Sequence, residues 1–315
     1  MLTITRGLFG ERSPRAYPVA TIGNFDGHHL GHRALLQTVV ETARKARGTS
    51  LVVTFDPHPV KILAPNVGLR FLTSLEEKLS HLDAAGIDEV VFLDFTPEFA
   101  TMSPEHFAED ILYRSLALSE LFVGSHFAFG KGRTGHIDDL ARFGEQYGFQ
   151  VHPVTPVMIQ GEVVSSTRIR RLIQAGNVEL AATLLGRLYG IRGIVVHGME
   201  QGQAMGWPTA NLPIPADRVV PPDGVYAARV VYGSEIHDAI AYVGTRPTFG
   251  VGERLIEVHL LDQTCQLYGQ EITVQFVARV RGDHAFASAD ELSRQIARDV
   301  AQARINLRNL PQGVP

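Results

Sequence analysis

The chain has 315 residues, with 29 Lys and Arg against 33 Asp and Glu, a net charge of −4, 45% hydrophobic and 20% charged residues. At about 150 residues per domain this suits two globular domains, each long enough to bury a core. The balance excludes a disordered chain and a broadly basic nucleic-acid coat, which needs excess Lys and Arg to displace phosphate counterions, so no nucleic-acid partner is expected. A single cysteine, Cys265, excludes an intramolecular disulfide and a cysteine-rich zinc site. The opening residues lack the apolar stretch of a signal peptide and no segment reaches the apolar length of a membrane span. A cytoplasmic protein without a membrane partner is the expectation.

As far as residue 185 the chain alternates short apolar runs with helical patterns, the rhythm of a parallel α/β sheet. The predicted strands are Tyr17–Ile22, Ser50–Phe55, Glu89–Leu93, Glu120–Val123 and Phe149–Val154. Leu36, Val39, Val40 and Ala43 recur at helical spacing after His29, Ser74 with Glu77 makes a capping box closed at Gly86, and Ser103-Pro104 is an N-cap with proline in the first turn. After Gly190 the pattern becomes β-rich: Ile191–Val196, Val225–Tyr232, Ile236–Val243, Leu255–Leu261 and Ile272–Val280, separated by Gly and Pro turns. That predicts a small antiparallel β-barrel, finished by a helix over Ala289–Leu307. Ser288 and Glu291 make its capping box, and Leu292, Ile296, Val300, Ala303 and Leu307 its apolar stripe. The expected domains are 1–185 and 186–315.

The segment Gly23-Asn-Phe-Asp-Gly-His-His-Leu-Gly-His32 follows the first predicted strand and opens the first helix, where backbone N–H groups and the helix dipole favour an anion. His29 and His32 share one face of the first turn and can donate hydrogen bonds to a triphosphate, while Gly31 lets a phosphate or base approach. Solvent-exposed histidines at a helix start are the bland alternative. A zinc helix is a weaker rival: His28 and His32 are four apart, but His29 stands where the protease pattern has its Glu. Later, Val164-Ser-Ser-Thr-Arg-Ile-Arg170 offers the hydroxyls of Ser165, Ser166 and Thr167 and the charge of Arg170 to phosphates, although Ser-Ser-Thr alone reads equally as a helix cap. Gly130-Lys-Gly-Arg-Thr-Gly135 lacks the acidic residue of a dinucleotide fingerprint and the Ser or Thr of a Walker loop, and reads as a basic, mobile loop beside a nucleotide.

In the β-rich half Gly198, Gly202 and Gly206 precede Trp207-Pro-Thr-Ala-Asn211. A glycine-rich loop can fold over a polyphosphate, and the Thr209 hydroxyl and Asn211 amide are hard oxygen ligands suited to Mg²⁺. A hairpin turn running into a strand explains the same residues. Glu257, in Leu255-Ile-Glu-Val-His-Leu-Leu261, alternates so that it could face a barrel interior and take the proton of a hydroxyl nucleophile; a solvated strand glutamate is the alternative.

Taken together, these segments resemble the bifunctional bacterial riboflavin kinase/FMN adenylyltransferase family. The resemblance runs nearly the whole chain, through Gly23–His32, Thr54-Phe-Asp-Pro-His-Pro59, Val123–Gly130, Ser165–Arg170, Pro208–Asn211, Gly244-Thr-Arg-Pro-Thr-Phe249, Glu257–Asp262, Leu267-Tyr-Gly269 and Gln295-Ile-Ala-Arg-Asp299; His28 replaces a small apolar residue. It implies a Rossmann-like nucleotidyltransferase domain before the barrel. In the barrel Glu257 is expected to activate riboflavin for attack on ATP, with Mg²⁺ at Thr209 and Asn211 and the phosphates near Gly198, Gly202 and Gly206. In the first domain His29 and His32 are the expected catalytic pair for adenylylation of FMN by a second ATP. Gly23, Asn24, Phe25, Asp26, Gly31, Ser165, Ser166, Thr167 and Arg170 are the expected phosphate-binding residues there. The alternatives are one surviving activity, another nucleotide or flavin analogue as substrate, or a non-catalytic flavin-binding regulator; a homo-oligomer is left open.

Overall fold

Continuous apolar runs such as Leu51–Val53 and Val90–Leu93 suit a parallel sheet covered on both faces. The computed structural model, which describes residues 1–7, 15–197, 207–245, 254–263 and 267–310, builds that sheet in the first of two units, Met1–Val164 and Ser165–Pro315. Its strands are β1 (Thr3–Arg6), β2 (Pro18–Ile22), β3 (Thr49–Asp56), β4 (Glu89–Asp94), β5 (Glu120–Gly124) and β6 (Gln150–Val154), all parallel in the order β1-β4-β3-β2-β5-β6. β1, absent from the sequence reading, is a largely exposed edge strand beside β4.

Helix α1 (Leu30–Lys45) lies on β2, β3 and β5 and buries Leu36, Val39, Val40 and Ala43, the stripe read from the sequence. Next come α2 (Pro59–Leu63) and α3 (Leu75–Ala84), whose capping box closes in both directions: the Ser74 hydroxyl accepts from Glu77 N–H at 3.1 Å and the Glu77 carboxylate from Ser74 N–H at 2.7 Å. On the other sheet face, α4 (Pro104–His106) runs into a π-helical turn over Phe107–Ser115, and α5 (Ile137–Tyr147) follows. Phe107, Ile111, Leu112, Leu140 and Phe143 form the core there. From β2 the chain winds outward through β3 to β4, then crosses back to β5 and β6. The crevice between the carboxyl ends of β2 and β5 is therefore the switch point where such sheets take ligands. A short hairpin, β7 (Met158–Ile159) and β8 (Glu162–Val163), ends the unit.

The second unit begins with α6 (Ser166–Gln174) and α7 (Val178–Leu185). Six antiparallel strands follow: β9 (Tyr189–Ile194), β10 (Ala210–Pro213), β11 (Gly224–Tyr232), β12 (Glu235–Thr245), β13 (Arg254–Leu260) and β14 (Glu271–Gly282), ordered β10-β13-β12-β11-β14-β9. Just past β9, Val196 N–H donates to the Asn211 carbonyl at 2.9 Å, so the sheet curls until its two edges meet. One face, with Tyr226, Ala228, Ala241, Ile256, Val258 and Phe276 all sealed from solvent, is the interior. The opposite face carries α8 (Ala289–Arg308), whose Val300, Ala303 and Leu307 pack with Val225, Ala227 and Ile240.

Two details differ from the sequence reading. The Ser288 hydroxyl accepts from Glu291 N–H at 3.2 Å, but the Glu291 carboxylate takes the Ala287 N–H at 3.0 Å, so the expected box closes one residue early. The units part at Val164/Ser165, whereas the sequence puts the change at 185/186. α7 packs on β9 and β14 and contributes Ala182 to the core beneath α8, so by packing the two helices go with the barrel.

Candidate active sites

In the first unit the turn after β2 is shaped by its backbone. Phe25, Gly27 and His28 have φ of 49°, 82° and 40°, and a Cβ on Gly27 would meet Leu72 Cδ1 at 2.6 Å. The buried Asp26 carboxylate holds the turn from outside: it accepts from Leu72 N–H at 3.0 and 3.1 Å, Thr73 N–H at 3.0 Å and the Thr73 hydroxyl at 3.0 Å. Expected to bind phosphate, Asp26 instead straps the segment before α3 to the turn, which suits an anion far better than a carboxylate facing a triphosphate. Gly23 donates its N–H to Val53 O at 3.0 Å and so extends the sheet. Phe25 is a core residue whose ring leans on His32 at 5.1 Å. Asn24 Oδ1 is buried and has no hydrogen-bond partner among the described residues.

His29 is the N-cap of α1: its Nδ1 accepts from His32 N–H at 3.3 Å, which puts the proton of the neutral ring on Nε2. The two rings stack with centroids 3.6 Å apart. Burial first, then the charges of His29, His28 and Lys78, hold His32 well below the usual imidazole range, so it is neutral at physiological pH. Leu30 and Gly31 N–H groups have no partner inside the helix and complete the donor set. A Cβ on Gly31 would lie 3.2 Å from the His29 ring and 3.5 Å from Val164 O, so this glycine permits chain to pack on chain. His28 precedes the helix and stacks on His81 at 5.1 Å, which removes the helical i, i+4 geometry of the zinc reading. The loop read as mobile is a closed turn: Phe129 and Gly135 exchange both backbone hydrogen bonds at 3.0 Å, Lys131 N–H donates to Met102 O at 2.7 Å, and Lys131 and Arg133 point outward.

Ser165 begins the second unit as the N-cap of α6, accepting from Arg168 N–H at 3.2 Å. The cap reading thus holds for Ser165, while Ser166, exposed Thr167 and Arg170 occupy the first turns.

In the barrel the register aligns Asn211, Glu257 and Tyr242 across β10, β13 and β12. Asn211 and Glu257 are buried. Because Ile256 and Val258 fill the interior, alternation turns Glu257 to the α8 side; the expectation that it faces the interior is corrected. Tyr242 donates its hydroxyl to Asp283 Oδ1 at 3.1 Å, and burial, the Asp283 charge and that bond push it up to about 12, with Glu257 adding to the shift. His259 Nδ1 lies 2.8 Å from Pro208 O and its ring meets Trp207 edge-on at 5.2 Å, which pins Trp207–Asn211 to β13. Thr209 and Asn211 flank Ala210 at the start of β10, beside Glu257. Gly198, Gly202, Gly206, Cys265 and most of Gly244–Phe249 lie outside the described residues. Gln295 and Asp299 of α8 anchor the helix, with Asp299 accepting from Arg281 at 2.9 Å and Gln295 at 2.8 Å. Lys78 and Tyr242 escaped the sequence reading: the first looks like a solvated helix position and the second like an ordinary strand tyrosine.

A nucleotidyltransferase-like sheet with a histidine-bearing turn and a helix N-terminus at its switch point, followed by an antiparallel barrel with a buried polar row, defines a two-unit nucleotide-handling protein. The family models described as FAD synthetase and riboflavin kinase match residues 12–168 and 185–307. The chain is 40% identical over 305 residues to the bifunctional riboflavin kinase/FMN adenylyltransferase of Escherichia coli strain K12, covering 96% of this chain and 97% of that protein. It is 33% identical to the protein of that name from Bacillus subtilis strain 168, with 95% of each covered. A crystal structure described as a macrolide-efflux protein from Streptococcus pneumoniae superposes with a TM-score of 0.87 at 30% identity, over 96% of this chain and 98% of that one. No helix among the described residues is long and apolar enough to cross a membrane. The chain belongs to the bifunctional riboflavin kinase/FMN adenylyltransferase family.

Proposed function

We propose that the chain makes FMN and FAD in two ATP-dependent steps. In the first, the 5′-hydroxyl of riboflavin attacks the γ-phosphate of ATP and loses its proton to Glu257, giving FMN and ADP. In the second, the FMN phosphate attacks the α-phosphate of another ATP and expels pyrophosphate, giving FAD. The observation that carries this reading is that each unit has its own polar cluster: stacked His29 and His32 at the switch-point turn, and Asn211 beside Glu257 on the barrel.

On this reading His29 Nε2–H, neutral His32 and the N–H groups of Leu30 and Gly31 bind the phosphates and stabilise charge that develops on them. Ser165, Ser166, Thr167 and Arg170 supply further phosphate donors. Glu257 is a general base whose orientation is set by its strand. The Thr209 hydroxyl and the Asn211 amide oxygen are hard oxygen donors, a pair that fits Mg²⁺ held partly by substrate phosphates. Bound there, Mg²⁺ supplies charge neutralisation on the transferring phosphate. The division of labour falls near residue 185, where the riboflavin kinase match begins, with the cytoplasm as its place of work. Purified protein incubated with riboflavin, ATP and Mg²⁺ yields FMN and then FAD on flavin chromatography. FMN that never becomes FAD refutes the second assignment, and FAD formed only from added FMN refutes the first.

A further inference from the structure

Tyr242 is the third member of the row that carries Asn211 and Glu257, and neither reaction above uses it. Side chains directly opposite on antiparallel strands leave the same face with Cβ atoms about 4.5–5.5 Å apart, so Tyr242 starts beside Glu257. From there a ring can turn across the strands onto the carboxylate or lie along its own strand. Gly244 shows that it does the second: a Cβ on this glycine would overlap the Tyr242 hydroxyl and Cζ and lie 2.6 Å from Cε1. The φ of Gly244 is not positive, so what this glycine supplies is room for the ring.

Asp283, just past β14, holds the far end of the ring by accepting from the Tyr242 hydroxyl at 3.1 Å. Burial, then the Asp283 charge and that bond, keep the phenol protonated, so it remains a donor at physiological pH. Arg281, which continues the row beyond Val225, bonds Asp299 and the Gly282 carbonyl, each at 2.9 Å, and does not compete for Asp283. The body of the ring packs against the cluster that includes Val225 and Ile240 beneath α8. Tyr242 is thus seated on Gly244 and tied at its tip.

We propose that Tyr242 is a positioning residue for riboflavin phosphorylation: tied to Asp283, its ring stays over Gly244 and out of the path by which the riboflavin hydroxyl reaches Glu257. This rests on the assignment of the kinase step to the barrel. Once untied, the ring is free to turn about χ1 to another staggered position. Because Tyr242 stands directly opposite Glu257, that turn carries the ring towards the carboxylate. The base then faces an aromatic edge where the hydroxyl nucleophile should be, and productive encounters become rarer.

Tyr242→Phe and Asp283→Ala each break the tie and keep the ring, while Gly244→Ala pushes the ring off its seat with both tied groups present. In each, kcat/KM for riboflavin falls by about tenfold, the scale of one hydrogen bond to a charged group, while KM for ATP and adenylylation of supplied FMN are unchanged. Tyr242→Phe combined with Asp283→Ala is no slower than either alone, since both remove the same bond. Asp283→Asn keeps an acceptor oxygen and recovers most of the rate, which a mere loss of packing does not predict. Trp207, whose ring meets His259 of β13, reports by its fluorescence that the barrel of each variant is folded. Where Tyr242→Phe does not fold, Asp283→Ala against Asp283→Asn makes the same test. A wild-type kcat/KM for riboflavin in any folded variant that breaks the tie or fills Gly244 overturns the inference. So do additive losses in the double variant, or equal losses in Asp283→Ala and Asp283→Asn. A wild-type protein that makes no FMN refutes the kinase assignment and the positioning role with it, whereas an active wild type with unaffected variants refutes the role alone.

Discussion

Replacing Asp26 tests the strap that shapes the β2–α1 turn. In Asp26→Ala, the N–H groups of Leu72 and Thr73 and the Thr73 hydroxyl, all buried, lose their acceptor. Each buried donor left unpaired costs about 1–3 kcal/mol, and local relaxation recovers part of it, so the substitution costs about 3–5 kcal/mol. Asp26→Asn can keep its Oδ1 in place for all three donors and loses charge assistance together with the second arm of the Leu72 bond, for about 1–2 kcal/mol. The single tryptophan, Trp207, lies in the second unit, so tryptophan fluorescence does not report this loss directly. Hydrogen exchange of peptides spanning residues 70–75 is the suitable assay. In Asp26→Ala the Leu72 and Thr73 amides exchange at least about a hundredfold faster, with a smaller change in Asp26→Asn. Equal protection in wild type and Asp26→Ala refutes the reasoning, as does faster adenylylation in Asp26→Asn, the sign of a carboxylate that faces the triphosphate.

Gly27→Ala strains the same turn, since φ is 82° and the new methyl would lie 2.6 Å from Leu72 Cδ1; a loss of about 1–3 kcal/mol, read as faster exchange of the same peptides, is expected. Glu257→Gln lowers FMN formation by roughly 10²–10⁴-fold, the usual contribution of a positioned base, and leaves adenylylation of supplied FMN unchanged in the flavin assay. His32→Ala lowers FAD formation by roughly 10²-fold and spares the kinase. His32 is held below its unfolded value of 6.5, so acid favours the unfolded chain. The stability it contributes is complete above that value and is lost as pH falls through it towards the folded value; the resistance of the first unit to thermal unfolding weakens over this window in wild type and less so in His32→Gln.

Local patterns were legible in the sequence and distant partners were not. The α1 stripe and the Ser74–Glu77 box depend on spacings of three and four, which the chain displays directly. The Asp26 strap was not legible because its partners lie 46 and 47 residues away and nothing near it announces them. Alternation showed which residues share a face with Glu257 but not which face is inward, because both faces of β13 are largely buried. β1 is a four-residue edge strand whose exposed side chains give no apolar run to read. The His28–His32 spacing suggested a helix face, yet the helix begins at Leu30. The Asn211–Glu257 pairing was within reach only as two separate motifs, since register is set by the folded sheet.

The seam between Val196 and Asn211 makes the integrity of the barrel and its behaviour in a crowded solution one matter. Among the described residues a backbone hydrogen bond of 2.9 Å bridges edges that would otherwise present unpaired peptide groups, and Ile194 and Val196, 58% and 39% exposed, stand beside it. If that bond parts, an open strand edge flanked by apolar side chains becomes a template for pairing with another chain. Asn211 supplies the acceptor through its backbone and a polar group to the Glu257 row through its side chain. One residue therefore joins the polar row of the barrel to the closure of its sheet, and a change in the backbone at Asn211 reaches both.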